Sequence, residues 1–257
     1  MRPGASSIRG AVASAAKALL IPASALDRWI ARGRRVVFGE TNGVVVPVFH
    51  AVVPSGVGAP GLGPASAVTL EQLSAALDYF TGRGFTPIGL PQMLQGLDPG
   101  RNYVMFTFDD GYANNLAAID LLEQAGVPSL LSINLDLARA GQSFWWDVLY
   151  RELHKRGASP AQIDDERARM MLRPPAAIHE ELAGRFGNDC LRPCGELDRP
   201  LSVEEVRALA RRPMISFANH TSDHQLLRGR DREAVMHSPR HAQQEMQELT
   251  GVTPAAV

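Results

Sequence analysis

The fold class of this chain is clearest in the stretch YVMFTFDDGY, residues 103–112. Its first six residues, Tyr103–Phe108, form an apolar run of the kind found in strands that are buried on both faces. The run ends in Asp109 and Asp110, and Gly111 then permits a tight turn. In barrel-like parallel α/β folds, catalytic residues lie where strands finish, on the face from which the βα loops leave. The stretch therefore predicts a buried strand that delivers two carboxylates to a functional edge.

Strand-like and helix-like segments alternate on both sides of this stretch. The predicted segments before it are a strand at Val44–His50, a loop at Ala51–Ala67, a helix from the N-cap Thr69 with Gln72 three residues on, a short strand at Phe85–Leu90 and a helical turn at Pro91–Leu97. The predicted segments after it are a helix at Asn114–Gln124 and a strand at Pro128–Leu135. Such alternation indicates a parallel α/β architecture.

The middle of the chain has a different pattern. Residues 141–212 form charged, helix-like segments with few strand signals, and we interpret them as a helical insertion in a connection of the α/β domain. A strand is predicted to return at Met214–Phe217, and a final helix at Arg232–Thr250. The Ala-rich residues 1–43 are interpreted as an N-terminal helical appendage to a main domain over residues 44–257.

Composition and charge exclude several classes of function. The chain has 257 residues, of which 45% are hydrophobic and 21% charged, which is an ordinary globular composition. Its formal net charge of -1 provides no field for a polyanion, and the densest basic stretch, Arg28–Arg35, is short. Nucleic acid is therefore not an expected partner. No apolar run approaches the roughly 20 residues of a transmembrane segment, so no transmembrane segment is expected.

The N-terminus and the two cysteines leave alternatives open. The apolar segment Ala11–Ile21, followed by Ala23–Ala25, allows either an amphipathic helix or a secretory signal. A cytoplasmic location is favoured, with a secreted or periplasmic one as the alternative. Cys190 and Cys194 have no second cysteine pair and no adjacent histidine, so we expect free thiols or one local disulfide.

A second polar motif, HTSDH, begins at His220 and ends at His224, directly after the strand predicted at Met214–Phe217. The strand would support the two imidazoles rigidly, and Asn219 and Thr221 can supply hydrogen bonds around them. Two imidazoles with a carboxylate from the first motif leave coordination positions open for water and substrate, as catalytic zinc and related metals require. The two motifs together therefore predict a metal site.

His237 and His241 have the same spacing as this pair and serve as a comparison. They lie in a polar segment around Pro239, with no predicted strand before them. We interpret them as solvated surface residues.

TFDDG at Thr107–Gly111 and HTSDH at His220–His224 resemble the first two signature motifs of the polysaccharide deacetylases, the NodB-homology group of carbohydrate esterases. Further stretches that resemble this family are the strand that ends in His50, FWWD at Phe144–Asp147 and the helix over Gln244–Gly251. The resemblance covers residues 44–257. It implies a deformed (β/α) barrel that removes N-acetyl or O-acetyl groups from glycans.

The same resemblance implies roles for the site residues. Asp109 would be the catalytic base, and Asp110, His220 and His224 would bind a divalent metal, with zinc as the first expectation. Thr221 would tie down the loop through hydrogen bonds. The metal would polarise the acetyl carbonyl and lower the pKa of bound water, while Asp109 accepts the water proton. The expected partner is an acetylated glycan, and FWWD with the long insertion is similar to family members that act on exopolysaccharide.

The later motifs of that family are not recognisable in this chain. They comprise an arginine beside an aromatic-proline strand, a tryptophan-containing segment, and a Leu-x-His whose histidine protonates the leaving group. The chain ends at Val257, so we expect a barrel that is incomplete at its C-terminus, with late strands missing. His50, His237 and His241 are the candidate substitutes for the missing acid, and none of them lies at the family's position. We therefore expect the chain as given to have little or no deacetylase activity.

Three hypotheses about function follow. The first is a metal-dependent polysaccharide deacetylase that acts on carbon–nitrogen (amide) bonds. The second is a catalytically incomplete fragment or pseudoenzyme that only binds metal or glycan. The third is an unrelated hydrolase that uses the same four residues.

Overall fold

The structure is a computed structural model that describes residues 42–56, 62, 67–222, 224 and 232–254. The predicted N-terminal appendage and the alternative secretory signal lie outside these residues. Residues 44–257 belong to one compact unit. In the described ranges, no helix is both long enough and apolar enough to cross a membrane.

The described residues contain short strands and helices in an order close to the predicted one. The strands are β1 (Val44–Val45), β2 (Val48–Phe49), β3 (Ala51–Val53), β4 (Ala67–Thr69), β5 (Thr86–Pro87), β6 (Tyr103–Val104), β7 (Phe106–Phe108), β8 (Ser129–Ile133) and β9 (Ile215–Asn219). The helices are α1 (Leu70–Gly82), α2 (Leu90–Gln95), α3 (Asn115–Gln124), α4 (Leu135–Ala140), α5 (Trp145–Lys155), α6 (Pro160–Met170), α7 (Pro175–Phe186), α8 (Val203–Leu209) and α9 (Arg232–Thr250).

Every strand pair in the described part of the chain is parallel. The largest sheet has the order β2-β7-β8-β9, a second has the order β1-β6-β5, and β3 pairs with β4. In the largest sheet Phe49 pairs with Phe108, Phe108 with Leu131, and Leu131 with Phe217, so the carboxyl ends of these strands meet at one edge. The predicted α/β class with parallel strands is confirmed. The described strands form three sheets and not one closed ring.

Pro47 divides the first predicted strand into two. The sequence predicts one strand over Val44–His50, whereas β1 pairs with β6 and β2 pairs with β7. Proline has no N–H with which to continue a ladder. Its carbonyl still accepts the N–H of Thr107 at 3.1 Å, which keeps the chain beside the central sheet.

The predicted loop at Ala51–Ala67 is wrong at both ends. Its first three residues form β3, which is buried and pairs in parallel with β4. The Gly- and Pro-rich residues between these strands obscure both, because a three-residue strand depends on contacts with residues far away in the sequence. The helix start that follows is as predicted: Thr69 Oγ1 accepts the N–H of Gln72 at 3.2 Å, and Gln72 Oε1 accepts the N–H of Thr69 at 2.8 Å.

The sheet and the insertion have separate apolar clusters. Helices α5 to α8 lie between β8 and β9 in the sequence and form the predicted helical insertion. The buried core of the sheet includes Phe106, Phe108, Ile119, Leu131 and Phe217. The insertion has its own cluster, which includes Trp145, Leu149, Met170, Ile178 and Leu182. The insertion is thus packed as a small helical layer with its own apolar interior.

Candidate metal centre

The DDG turn begins where β7 ends. The N–H of Asp109 donates to the carbonyl of Phe49 at 2.8 Å, so the sheet ladder continues to this residue. Asp110 then takes a left-handed backbone conformation with φ 69°, followed by Gly111 with φ 78°. A side chain at Gly111 would also approach Ile133 Cγ2 to 3.3 Å, which explains the glycine. The turn separates the two carboxylates: Asp110 is 3% exposed, while Asp109 is half-buried.

The HTSDH loop begins where β9 ends and is held by its neighbours. Asn219 Oδ1 accepts the N–H of Thr221 at 2.9 Å, and the Asn219 side-chain amide donates to the carbonyl of Pro239 in α9. The carbonyl of Thr221 accepts a hydrogen bond from the side chain of Asn134 at 3.3 Å. The loop is further connected to α9 because Ser222 and Ser238 bond through their hydroxyls at 3.0 Å.

Thr221 differs in part from its expected role. Its backbone ties down the loop, with φ 64° and a hydrogen bond on each side of the peptide unit. Its buried hydroxyl has no hydrogen-bond partner among the described residues. The residue therefore acts in this loop through its main chain.

The two motifs meet at one carboxylate oxygen. His220 Nε2 lies 3.2 Å and His224 Nε2 lies 2.9 Å from Asp110 Oδ1, and the two imidazole centroids are 4.9 Å apart. One ligand atom from each of these three residues lies within 4.8 Å of the other two. In the described ranges, this is the one group of three His, Cys, Asp or Glu residues with such a spacing.

The charges of the site favour a cation. Burial raises the pKa of Asp110, but the hydrogen bonds from His220 and His224 and the charges of His224 and His50 outweigh it, so that this pKa lies well below its usual range. Burial lowers the pKa of His220, yet its hydrogen bond to Asp110 and the charges of Asp110 and Asp109 raise it above the ordinary value. An ionised carboxylate thus faces two imidazole nitrogens, which is a suitable donor set for a divalent transition metal.

His50 is the candidate acid that lies nearest to this edge in the sheet. It directly follows β2, and because Phe49 pairs with Phe108, His50 and Asp109 both leave the sheet at the same edge. His50 is exposed, and its charge contributes to the lowered pKa of Asp110. His237 and His241 instead lie on the exposed side of α9, where His241 Nδ1 contacts Glu245 at 3.1 Å.

The structure adds an aromatic residue that sequence reasoning did not place in the site. The ring of Trp146 lies 4.8 Å from that of His224, centroid to centroid. FWWD was noticeable in the sequence, but nothing in its spacing indicates contact with a histidine so far along the chain. Cys190 and Cys194 lie outside the site. Of the two expectations for them, free thiols and a local disulfide, free thiols are confirmed.

Comparison with known proteins identifies the family. Residues 96–257 match the family described as polysaccharide deacetylase, which is more than half of the chain. The chain therefore belongs to the polysaccharide deacetylase family. No curated protein matches it.

Solved structures with a TM-score of 0.50 or above show the same fold. IcaB from Ammonifex degensii is 16% identical, with a TM-score of 0.52 over 84% of this chain and 72% of that chain. A de-N-acetylase from Aggregatibacter actinomycetemcomitans is 14% identical, with a TM-score of 0.50 over 82% of this chain and 76% of that one. A polysaccharide deacetylase from Bacillus cereus is 13% identical, with a TM-score of 0.48, and the match covers 83% of this chain but only 49% of that chain. This chain thus spans about half the length of the Bacillus cereus protein.

Proposed function

We propose that this protein is a metal-dependent enzyme that hydrolyses acetyl groups of a polysaccharide, with N-acetyl groups as the first substrate class and O-acetyl groups as the second. Membership of the polysaccharide deacetylase family supports the reaction class. The observation that carries the metal dependence is the convergence of Asp110, His220 and His224, whose ligand atoms lie within 4.8 Å of one another at the carboxyl edge of the sheet.

The donor set fits zinc. One carboxylate oxygen and two imidazole nitrogens are ligands that Zn²⁺ prefers, and three protein ligands leave a position for water or substrate. A bound divalent ion would supply polarisation of the acetyl carbonyl and a lower pKa for water. Asp110 is buried and ionised, whereas the side chains of His220 and His224 are 27% and 34% exposed, so the open side of the site is that of the histidines.

Asp109 is the proposed general base. It follows β7 in the extended direction, whereas Asp110 turns back into the protein, so the two adjacent carboxylates face different surroundings. Asp109 is absent from the group of three ligand atoms, and its charge acts on His220. A carboxylate beside the ligands and outside their set can accept the proton of an attacking water.

His50 is the proposed general acid. Amide hydrolysis needs a proton on the departing nitrogen, and the sheet register sets His50 at the same edge as Asp109. It is exposed, so a glycan can reach it. An acid and a base on neighbouring strands would act from two sides of one acetyl group.

An acetylated amino-sugar polymer is the proposed substrate. One of the proteins with the same fold is a de-N-acetylase, which favours amide over ester hydrolysis as the first reaction to test. The likeness of FWWD and the insertion to exopolysaccharide-linked members makes a secreted polymer of N-acetylhexosamine the first glycan.

The test is acetate release from N-acetylhexosamine oligomers by the full chain with added Zn²⁺ or Co²⁺. We expect acetate release by the wild type and none by Asp109→Asn. In His50→Gln, kcat/KM should fall strongly for the amide substrate but little for phenyl acetate, because the phenolate leaving group needs no proton. Equal losses on both substrates would remove His50 from the role of acid. Metal binding without acetate release from any acetylated glycan would favour the alternative, a protein that binds metal or glycan without catalysis.

A further inference from the structure

A chain of hydrogen bonds and ring contacts links the two motifs of the candidate metal centre through FWWD. It starts at His224, whose ring lies 4.8 Å from the Trp146 ring at an angle of 46°. Trp146 Nε1–H donates to the hydroxyl of Tyr112 at 2.8 Å, and Tyr112 is two residues beyond Asp110. Trp146 therefore contacts a proposed ligand on one side and the DDGY turn on the other.

The far end of this chain is a buried carboxylate. The Tyr112 hydroxyl donates to Asp147 Oδ2 at 2.6 Å, and both side chains are fully buried. An indole N–H can only donate a hydrogen bond, and an ionised carboxylate can only accept one. Tyr112 can thus donate to Asp147 and accept from Trp146 at the same time, which fixes the direction of both hydrogen bonds.

Ring packing restrains the indole as well. The ring of Phe144 contacts the rings of both Tyr112 and Trp146. Its centroid lies 4.0 Å from that of Tyr112 and 5.1 Å from that of Trp146, and the planes of Phe144 and Trp146 are nearly parallel, at 25°. Phe144 is fully buried. The indole is therefore held by its hydrogen bond to Tyr112, by the stacked ring of Phe144 and by an edge-on contact with Trp145 at 5.5 Å.

His224 lies further from the sheet along the chain than His220 does. His220 directly follows β9, whereas His224 is four residues further along the loop and has a left-handed backbone with φ 51°. The loop hydrogen bonds described above hold Asn219, Thr221 and Ser222, all of them before His224. The ring contact with Trp146 acts on the imidazole itself.

We propose that Trp146 is a positioning residue for His224, and that Tyr112 and Asp147 hold Trp146 in place. The inference rests on the proposed function in that it takes His224 as a metal ligand. Groups that orient a ligand side chain typically change metal affinity about 10–100-fold when removed. The helical insertion would thereby take part in metal binding although it supplies no ligand.

The test is a titration of the full chain with Co²⁺, followed by its visible absorption, which reports both the Kd and the ligand geometry. We expect Trp146→Ala to weaken Co²⁺ binding about 10–100-fold and to change the band shape. Trp146→Phe keeps a ring and should retain part of the affinity. Phe186→Ala is the matched control, because the Phe186 ring packs on the cluster of the insertion and against Arg156 and Arg185, and it should bind as the wild type does.

Folding is checked by circular dichroism for every variant. If Trp146→Ala does not fold, Tyr112→Phe decides, since it removes a single oxygen and with it both hydrogen bonds, and it should weaken Co²⁺ binding. Wild-type affinity and spectrum in folded Trp146→Ala, or in Tyr112→Phe where that variant decides, would overturn the inference and leave the proposed function intact. A wild-type chain that binds no Co²⁺ would overturn both.

Discussion

At the scale of single residues, the two motifs of the site stand out by their left-handed backbone conformations. Within the described ranges, the three non-glycine residues with positive φ are Asp110, Thr221 and His224, and all of them belong to the two motifs. This conformation is costly for residues with a Cβ and persists where the surroundings enforce it. A glycine at Asp110 or His224 would relieve the strain but would remove a side chain that converges on the site.

The histidines of HTSDH can be compared with a second pair at the same spacing. His220→Ala or His224→Ala removes a proposed ligand, so Zn²⁺ affinity should fall by more than the roughly 10–100-fold that a supporting residue is worth. Isothermal titration calorimetry measures this directly. His237→Ala and His241→Ala are the controls, since both residues are exposed on α9, and they should bind Zn²⁺ as the wild type does. Full zinc affinity in His220→Ala and His224→Ala would contradict the ligand assignment.

Asp109 and Asp110 are adjacent but should respond differently to the same substitution. Asp109→Asn should keep the metal and lower kcat/KM for deacetylation by about 10²–10⁴-fold, the usual contribution of a general base. Asp110→Asn should lose the metal, because it removes the ionised ligand that both imidazoles contact. Zinc content by elemental analysis separates the two outcomes. A metal-free, folded Asp109→Asn protein would reverse the assignment.

At the scale of elements, α9 acts as a clamp on the histidine loop. Pro239 lies inside this helix, and its carbonyl accepts a hydrogen bond from the side chain of Asn219. Ser238, one residue earlier, bonds to both the N–H and the hydroxyl of Ser222. The loop that carries the two histidines is thus fixed to a helix that follows it in the sequence.

Removing Asn219 should therefore affect both stability and metal binding. Asn219→Ala leaves the N–H of Thr221 and the carbonyl of Pro239 without their partner, which costs about 1–3 kcal/mol per buried unsatisfied group. Urea unfolding should show this loss, and Zn²⁺ affinity should fall with it. Gln244→Ala, on the exposed side of α9, is the control. Unchanged Zn²⁺ affinity in a destabilised Asn219→Ala would mean that the hydrogen bonds to α9 stabilise the fold but do not support metal binding.

The elements show what the sequence could and could not predict. The buried run before Asp109, which is divided into β6 and β7, and the helices α5 and α9 follow from local apolar spacing, and α9 continues through Pro239. The convergence of Asp110, His220 and His224 followed from strand ends that share one edge. The strands β3 and β4 and the contact between Trp146 and His224 were missed, since each depends on a partner distant in sequence that no local pattern encodes.

At the scale of the whole molecule, a buried ion pair connects the parts of the insertion. Arg151 of α5 donates to Asp198 Oδ2 at 2.6 Å, and Ser143 Oγ donates to the same oxygen at 2.9 Å. The backbone N–H groups of Cys194 and Gly195 also donate to this carboxylate. Asp198 thus joins the start of the insertion to the segment that leads to α8.

Breaking this pair should destabilise the protein strongly. Asp198→Ala leaves the buried guanidinium of Arg151 with its longer contact to Glu152 at 3.5 Å and its hydrogen bond to the Cys190 carbonyl, and breaking a buried pair typically costs about 3–5 kcal/mol. Denaturant unfolding measures the change. Asp164→Ala is the control: its contact with Arg167 is solvent-exposed, with Asp164 71% exposed, so we expect a change of at most about 1 kcal/mol. Similar losses in the two variants would mean that Asp198 contributes no more than a surface charge.

The distance in sequence between the proposed ligands has a consequence for handling the protein. Asp110 and His220 are 110 residues apart, and the whole insertion lies between them. An ion bound to both residues would act as a cross-link that closes a long loop. Because the ion binds the folded chain, it would raise the free energy of unfolding by about 2.7 kcal/mol when the free metal is at 100 times its Kd. Preparations exposed to a chelator should therefore melt at lower temperature than zinc-loaded ones, and the difference should vanish in His224→Ala. The choice of purification buffer therefore decides whether the segments before and after the insertion are linked through a metal ion.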